Sequence, residues 1–245
     1  MIDAAVSRGL GAALAHAFAA EGAHVAINYA SNAEAATSLA ETLRKKHGVT
    51  AITVQGDAGK RADIERCVST TKTELGGLDV VIANAGWTRF SKFADLDALS
   101  EEEWDKCWAV NVKGPLALLR AAMPTFDANE DGGVCLITSS VAGRILSGSS
   151  MAYSVTKAAQ LHLMRCMAKT QGKKVRVNAV LPGLLLTEWG LSYGEEAIKT
   201  ITNGSALKRE TDMQDCANTF VMLAKNTSMT GQEVIVDSGL EVAGR

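Results

Sequence analysis

The stretch His24-Val-Ala-Ile-Asn28, then Ala33–His47 closed by Gly48, then Ala51-Ile-Thr-Val-Gln55, decides the fold. The two short runs lack strict polar alternation, as expected of strands covered on both faces. The segment between them carries apolar residues at helical spacing and ends in a glycine suited to a left-handed cap. Strand, helix and strand of this length make a βαβ unit, whose crossover is right-handed. The same rhythm extends in both directions. Further strands are expected at Leu78–Ala83, Gly133–Ser139, Lys174–Val180 and Glu233–Asp237. Helices are expected at Leu10–Glu21 (closed by Gly22), Ala62–Leu75 (closed by Gly76-Gly77), Glu101–Phe126, Ala152–Gln171 (closed by Gly172) and Met213–Lys225. The chain reads as an α/β protein with a doubly wound parallel sheet.

No Pro/Ser-rich linker, repeat or low-complexity block divides the 245 residues, so 1–245 is expected to form a single domain. One segment, Leu184–Arg209, breaks the rhythm. It is long and mixed, with Trp189, Tyr193 and Glu195-Glu196, and reads equally well as a substrate lid or as a pair of surface helices. With a net charge of -2, nothing favours nucleic acid or an anionic membrane as a partner. The apolar stretch Val110–Met123 carries Lys113 and Arg120 and is no membrane span, and Met1–Ala5 does not open a signal peptide. Cys67, Cys107, Cys135, Cys166 and Cys216 are odd in number and form no C-x-x-C pair. They read as reduced thiols of a cytoplasmic protein, with no metal site.

Ser7-Arg8-Gly9-Leu10-Gly11 opens an apolar helix, whose free N–H groups could receive a pyrophosphate. Two glycines near a helix start are common, so this alone decides little. Tyr153-x-x-x-Lys157 places a phenol and an ammonium on one helical face, where the cation would stabilise the phenolate and lower its pKa. Taken alone, this is more often an exposed pair. Its context weighs the other way. Ser139-Ser140 and Asn84-Ala85-Gly86 each end a strand, at the carboxyl edge where such sheets bind ligands. Asn111, followed by Gly114-Pro115, points to a distortion within the long helix.

Gly9-x-Gly11, Asp57, Asn84-Ala-Gly86, Asn111-Val-Lys-Gly114, Ser140, Tyr153-x-x-x-Lys157, Pro182-Gly183-x-x-x-Thr187 and Gly231-Gln232 together resemble the classical short-chain dehydrogenase/reductase family over nearly the whole chain. The resemblance implies a Rossmann-like fold and a nicotinamide-dependent oxidoreductase acting on a carbonyl or alcohol. It implies Tyr153 as proton donor or acceptor, Ser140 as the group polarising the substrate oxygen, and Lys157 on the nicotinamide ribose. Asn111 would hold a water linking Lys157 to solvent. The cofactor would lie along Arg8, Gly9, Leu10, Gly11, Tyr29, Ser31, Asp57, Asn84, Ala85, Gly86, Tyr153, Lys157, Pro182, Gly183 and Thr187. Relatives also pair their two long helices across a two-fold axis, implying a homodimer or homotetramer. Here Ala117, Leu118, Ala121, Ala122, Leu161, Leu163, Met164 and Met167 offer the surface, unless they pack on the sheet instead.

NAD-dependent members carry an acid at the end of the second strand. Here Val25-Ala-Ile-Asn-Tyr29-Ala-Ser31 holds none before Glu34, while Arg8 could pair with a 2′-phosphate. NADP(H) is therefore expected over NAD(H). Trp87, Phe90, Arg144, Ile145, Leu184, Leu185 and Trp189 fall where relatives line the substrate cleft, suggesting an apolar, aromatic or polyketide-like carbonyl compound with room for one anionic group. The N-terminus departs from the family pattern. Met1–Ala4 leave a stub of a first strand with a charge at Asp3, and Ala5 stands where a glycine is usual. That departure keeps a second reading open, a non-catalytic partner subunit or binding protein with impaired cofactor binding. The set Asn111, Ser140, Tyr153 and Lys157 argues for the enzyme.

Overall fold

The computed structural model describes the backbone of residues 2–4 and all of residues 9–243. The expectations for Asp3, Ala5 and Arg8 concern side chains and a turn outside these described residues. In chain order the elements are β1 (Ile2–Ala4), α1 (Gly9–Ala20), β2 (Val25–Tyr29), α2 (Ala33–His47), β3 (Ala51–Gln55), α3 (Arg61–Leu75), β4 (Val80–Ala83) and α4 (Glu101–Trp108). A π-helical segment, Ala109–Lys113, runs into α5 (Gly114–Ala128). Then come β5 (Gly133–Thr138), a 3₁₀ turn (Val141–Gly143), α6 (Met151–Gln171), β6 (Val175–Pro182), α7 (Glu188–Leu191), α8 (Glu195–Gly204), α9 (Met213–Lys225), β7 (Glu233–Val236) and α10 (Leu240–Ala243).

The seven strands form one sheet in the order β3-β2-β1-β4-β5-β6-β7, every neighbouring pair parallel. β1 lies at its centre, with Ile2 in register with both Ala26 and Val81. The order reverses between β1 and β4, and this switch point opens a crevice at the carboxyl ends of the strands.

Both faces of the sheet are covered, which explains the missing alternation in the strands. Val25, Ile27, Val134 and Leu136 join a core under α1, α2 and α9. Ala26, Cys135 and Ile137, the intervening residues, join a second core under α3, α5 and α6. Local chemistry sets the helix ends. Ser100 and Glu103 form a capping box at α4. α2 gathers Arg44, Lys45, Lys46 and His47 in its last turn and closes on Gly48 at φ 69°.

One expectation needs correction, and three others are made specific. Gly172 ends α6 with φ -59°, in the right-handed region, so no left-handed cap forms there. The single helix expected over Glu101–Phe126 is two helices joined by the π segment, with Pro115 in the first turn of α5. Leu118, Ala122, Leu161, Met164 and Met167 face the sheet core, leaving only Ala117, Ala121 and Leu163 of the expected pairing surface half-buried. The excursion after β6 contains α7 and α8, and α8 has no fully buried residue.

Candidate active site

Parallel strands bring their carboxyl ends to one edge, so Asn84 after β4, Ser139-Ser140 after β5 and Pro182-Gly183 at the end of β6 meet there. They border a cleft of about 900 Å³, with Gly9, Leu10 and Gly11 at the start of α1 on its wall. That volume suits a sizeable organic ligand. The first turn of α1 leaves backbone N–H groups without intrahelical partners, and these favour an anion.

α6 supplies the chemistry. Ser150 caps it, its hydroxyl accepting from the Tyr153 N–H at 3.1 Å. Tyr153 and Lys157 then project from one face into the cleft. The Ser140 hydroxyl faces the Tyr153 phenol and favours its ionised form, and it also caps the 3₁₀ turn, accepting from Ala142 N at 3.1 Å. Ser139 turns away: its hydroxyl meets the Lys157 carbonyl at 3.5 Å. Lys157 is only 2% exposed and its ammonium donates to the Thr138 carbonyl at 2.7 Å. Thr138 in turn donates to the Asn84 side chain at 2.9 Å, joining the ends of β4 and β5.

Burial governs the ionisation of both groups. It pulls the Lys157 ammonium down to about 7, while the nearby Cys107 acts in the opposite sense. It pushes the Tyr153 phenol up, opposed by the neighbouring Ser140 hydroxyl and reinforced by Tyr193 and Cys107. The expected lowering of the phenol by lysine is therefore not what dominates here. Lys157 Nζ lies 5.5 Å from the Tyr153 ring centroid, turned toward the strand end. The phenol is held protonated, in the form that can donate.

Above the pair lies an aromatic group. Trp189 of α7 packs on Tyr153 with centroids 5.4 Å apart, and Phe90 meets Tyr193 edge-on at 4.9 Å. Asn111 is fully buried on the π segment and clamps the chain after Gly86. Its side-chain oxygen accepts from Trp87 N at 2.8 Å, while its amide donates to Trp87 O at 3.0 Å and to Thr156 Oγ1 at 2.9 Å.

A family model described as enoyl-(acyl carrier protein) reductase matches residues 4–241. The chain belongs to the short-chain dehydrogenase/reductase family. Ketoacyl reductase 2 of the granaticin polyketide synthase, from Streptomyces violaceoruber, is 35% identical over 235 residues, 95% of this chain and 92% of that protein. The 3-oxoacyl-(acyl-carrier-protein) reductase of Staphylococcus aureus is 30% identical over 237 residues, 96% and 94% of the two chains. Among solved structures, a short-chain dehydrogenase from Burkholderia cenocepacia in complex with NADP superimposes with a TM-score of 0.90 at 27% identity, covering 98% of this chain and 97% of that one. The activity class is that of a short-chain dehydrogenase/reductase oxidoreductase.

Most residues singled out in the sequence converge on the short-chain dehydrogenase/reductase cleft: Gly9, Leu10, Gly11, Asn84, Gly86, Ser140, Tyr153, Lys157, Pro182, Gly183 and Thr187 all line it. Asp57 and Ala85 do not; they border a separate void of about 30 Å³. The Asp57 side chain accepts from Gly59 N at 2.9 Å. Tyr29 packs on the core under α1 and α2 and Ser31 is exposed; neither is among the residues that line this cleft. Of the expected substrate contacts, Trp87, Phe90, Ile145, Leu184, Leu185 and Trp189 line it. Arg144 does not. Its guanidinium is held by Glu241 at 2.9 Å and Glu233 at 2.9 Å. The sequence reading placed Tyr193 in the candidate lid but missed Thr88 on the cleft wall, and the buried Cys107, Thr156 and Gln160 behind it. Spacing could have found Gln160, three residues beyond Lys157 and seven beyond Tyr153 on one helical face. Among the described residues there is no group of three or more metal-binding side chains, and no helix is long and apolar enough to cross a membrane.

Proposed function

We propose that this chain is an NADP(H)-dependent oxidoreductase that interconverts a carbonyl and an alcohol, with Tyr153 as the proton-transferring group. The observation that carries the reading is the convergence of the Ser140 hydroxyl, the Tyr153 phenol and the Lys157 ammonium on one large cleft, beside the open N-terminus of α1. Those residues fit a dinucleotide. Gly9, at φ 61°, would bring a Cβ to 3.1 Å from Thr187 Cγ2 on the same cleft wall, so glycine keeps the two segments close there, and the α1 N–H groups suit a pyrophosphate. The bound nicotinamide supplies or accepts the hydride.

The rest is the work of the protein. Ser140 and Tyr153 together receive the substrate oxygen, and the protonated phenol gives it a proton as the carbonyl is reduced. Lys157 would hold the ribose hydroxyls of the cofactor while its charge favours the phenolate left behind. Asn111 holds Trp87 and the turn that precedes it. The segment 184–209 is a lid: Trp189 and Tyr193 close over Tyr153 and exclude water, and Ala197 and Ile201 of α8 line the same cleft. The mainly apolar and aromatic walls suit an apolar or polyketide-like carbonyl compound.

NADP(H) is favoured because no acid stands between Val25 and Ser31, and because the Burkholderia neighbour is in complex with NADP. Tyr153→Phe keeps the ring and removes the acid. Turnover of a β-ketoacyl thioester with NADPH should fall by roughly 10²–10⁴-fold while NADPH still binds. Near-unchanged turnover in that variant would overturn the assignment.

A further inference from the structure

The carbonyl of Asn111 is unusual for a helical one. The residue four positions on, which would normally return an N–H to it, is Pro115. Gln160 of α6 meets that carbonyl, its side-chain Nε2 donating to it at 2.6 Å. The other end of that amide faces Lys157, whose Nζ donates to Gln160 Oε1 at 3.4 Å. The amide orientation follows from its partners: a carbonyl can only accept and an ammonium can only donate. Gln160 and Asn111 are both fully buried and Lys157 is 2% exposed.

We propose that Gln160 is a positioning residue, an amide strut that fixes the Lys157 ammonium against the Asn111 carbonyl in the place where the family resemblance puts a water. With the second bridge, Asn111 Nδ2 to Thr156 Oγ1 at 2.9 Å, it ties the π segment to the face of α6 that bears Tyr153 and Lys157. An amide holds geometry but does not hand on a proton as a water does. Lys157 is thus fixed by Thr138 O on one side and Gln160 Oε1 on the other.

The titratable groups facing Lys157 are Tyr153 on its own helix and Cys107 on α4, while Tyr193 acts on Tyr153 and Glu188 borders the same cleft. None of these is altered by substitution at Gln160. Gln160→Met keeps the volume and removes both hydrogen bonds. Gln160→Glu keeps an acceptor and adds a negative charge beside the ammonium. The readout is unfolding free energy against pH in the absence of cofactor, each protein compared with the same substitution in a Lys157→Met background to isolate the lysine.

The Lys157 step should move down by about half a pH unit or more in Gln160→Met, and up by about one unit or more in Gln160→Glu. A step within about 0.2 unit of wild type in both variants, or moving the same way in both, overturns the proposal. Should Gln160→Met fail to fold, the direction in Gln160→Glu decides alone. The inference rests on the reading of Lys157 as a site residue, yet its test needs neither NADPH nor substrate. Failure of the oxidoreductase reading, seen as full turnover in Tyr153→Phe, is therefore separable from failure of the strut.

Discussion

Lys157→Met should change how the stability of this protein depends on pH. The ammonium is 2% exposed, and burial pulls it from its ordinary 10.5 to about 7. The folded protein therefore releases this proton near pH 7, while the unfolded chain keeps it until about 10.5. Between those values the unfolded state binds more protons, so stability rises with pH. Integrating that difference from about pH 7 to about pH 8.5 gives a gain of about 1.6 kcal/mol, the slope approaching about 1.36 kcal/mol per pH unit. The window stops short of 9.0 for a reason. Burial pushes the thiols of Cys67, Cys107, Cys135 and Cys216 upward from that value, so their contribution is lost as pH rises above it. The assay is equilibrium urea unfolding of wild type and variant at both ends of the window. Wild type should gain about 1.6 kcal/mol more than Lys157→Met. Equal gains would refute the account of Lys157 as a cation held against its desolvation.

Further outcomes follow from the same geometry. Tyr29→Asp puts a carboxylate at the end of β2, and should weaken NADPH relative to NADH by about 1–2 kcal/mol, read from fluorescence titration of both; an unchanged ratio would mean that β2 does not border the 2′ position. Gly132→Ala forces a side chain onto a residue at φ 69° and brings its Cβ to 1.9 Å from the Lys174 carbonyl. It should lower unfolding free energy by about 2–4 kcal/mol, and a loss under about 1 kcal/mol would show that the loop before β5 yields freely. Ala117, Ala121 and Leu163 remain available for pairing with a second copy. Light scattering at micromolar concentration should find a dimer or tetramer, and a monomer would refute the pairing.

The strands and helices were legible because this sheet is covered on both sides. Ala51–Gln55, Ala33–His47 and Met213–Lys225 fall where the pattern puts them. The residues that misled did so for physical reasons. Gly172 has the composition of a left-handed cap but the chain turns there without leaving the right-handed region. Leu118 and Met164 were as apolar as an interface requires, and apolarity alone cannot tell a sheet-facing stripe from an outward one. Arg144 lay at the right position in the chain for a substrate contact, but Glu233 and Glu241, 89 and 97 residues away, claim its guanidinium. Partners that distant leave no local trace.

Asn111 shows the boundary of such reading most clearly. Its place before Gly114-Pro115 announces a distorted helix, and the structure has a π segment there. Pro115, four residues on, has no N–H to return to the Asn111 carbonyl. What meets that carbonyl depends on the crossing of α6 over the π segment. At that crossing stands Gln160, 49 residues away, with an amide long enough to reach both Asn111 and Lys157. Had residue 160 been apolar, the buried Asn111 carbonyl would have lost this hydrogen bond, worth about 0.5–1.5 kcal/mol. The motif residues place the reacting groups, but a residue outside every motif sets how firmly the lysine among them is held.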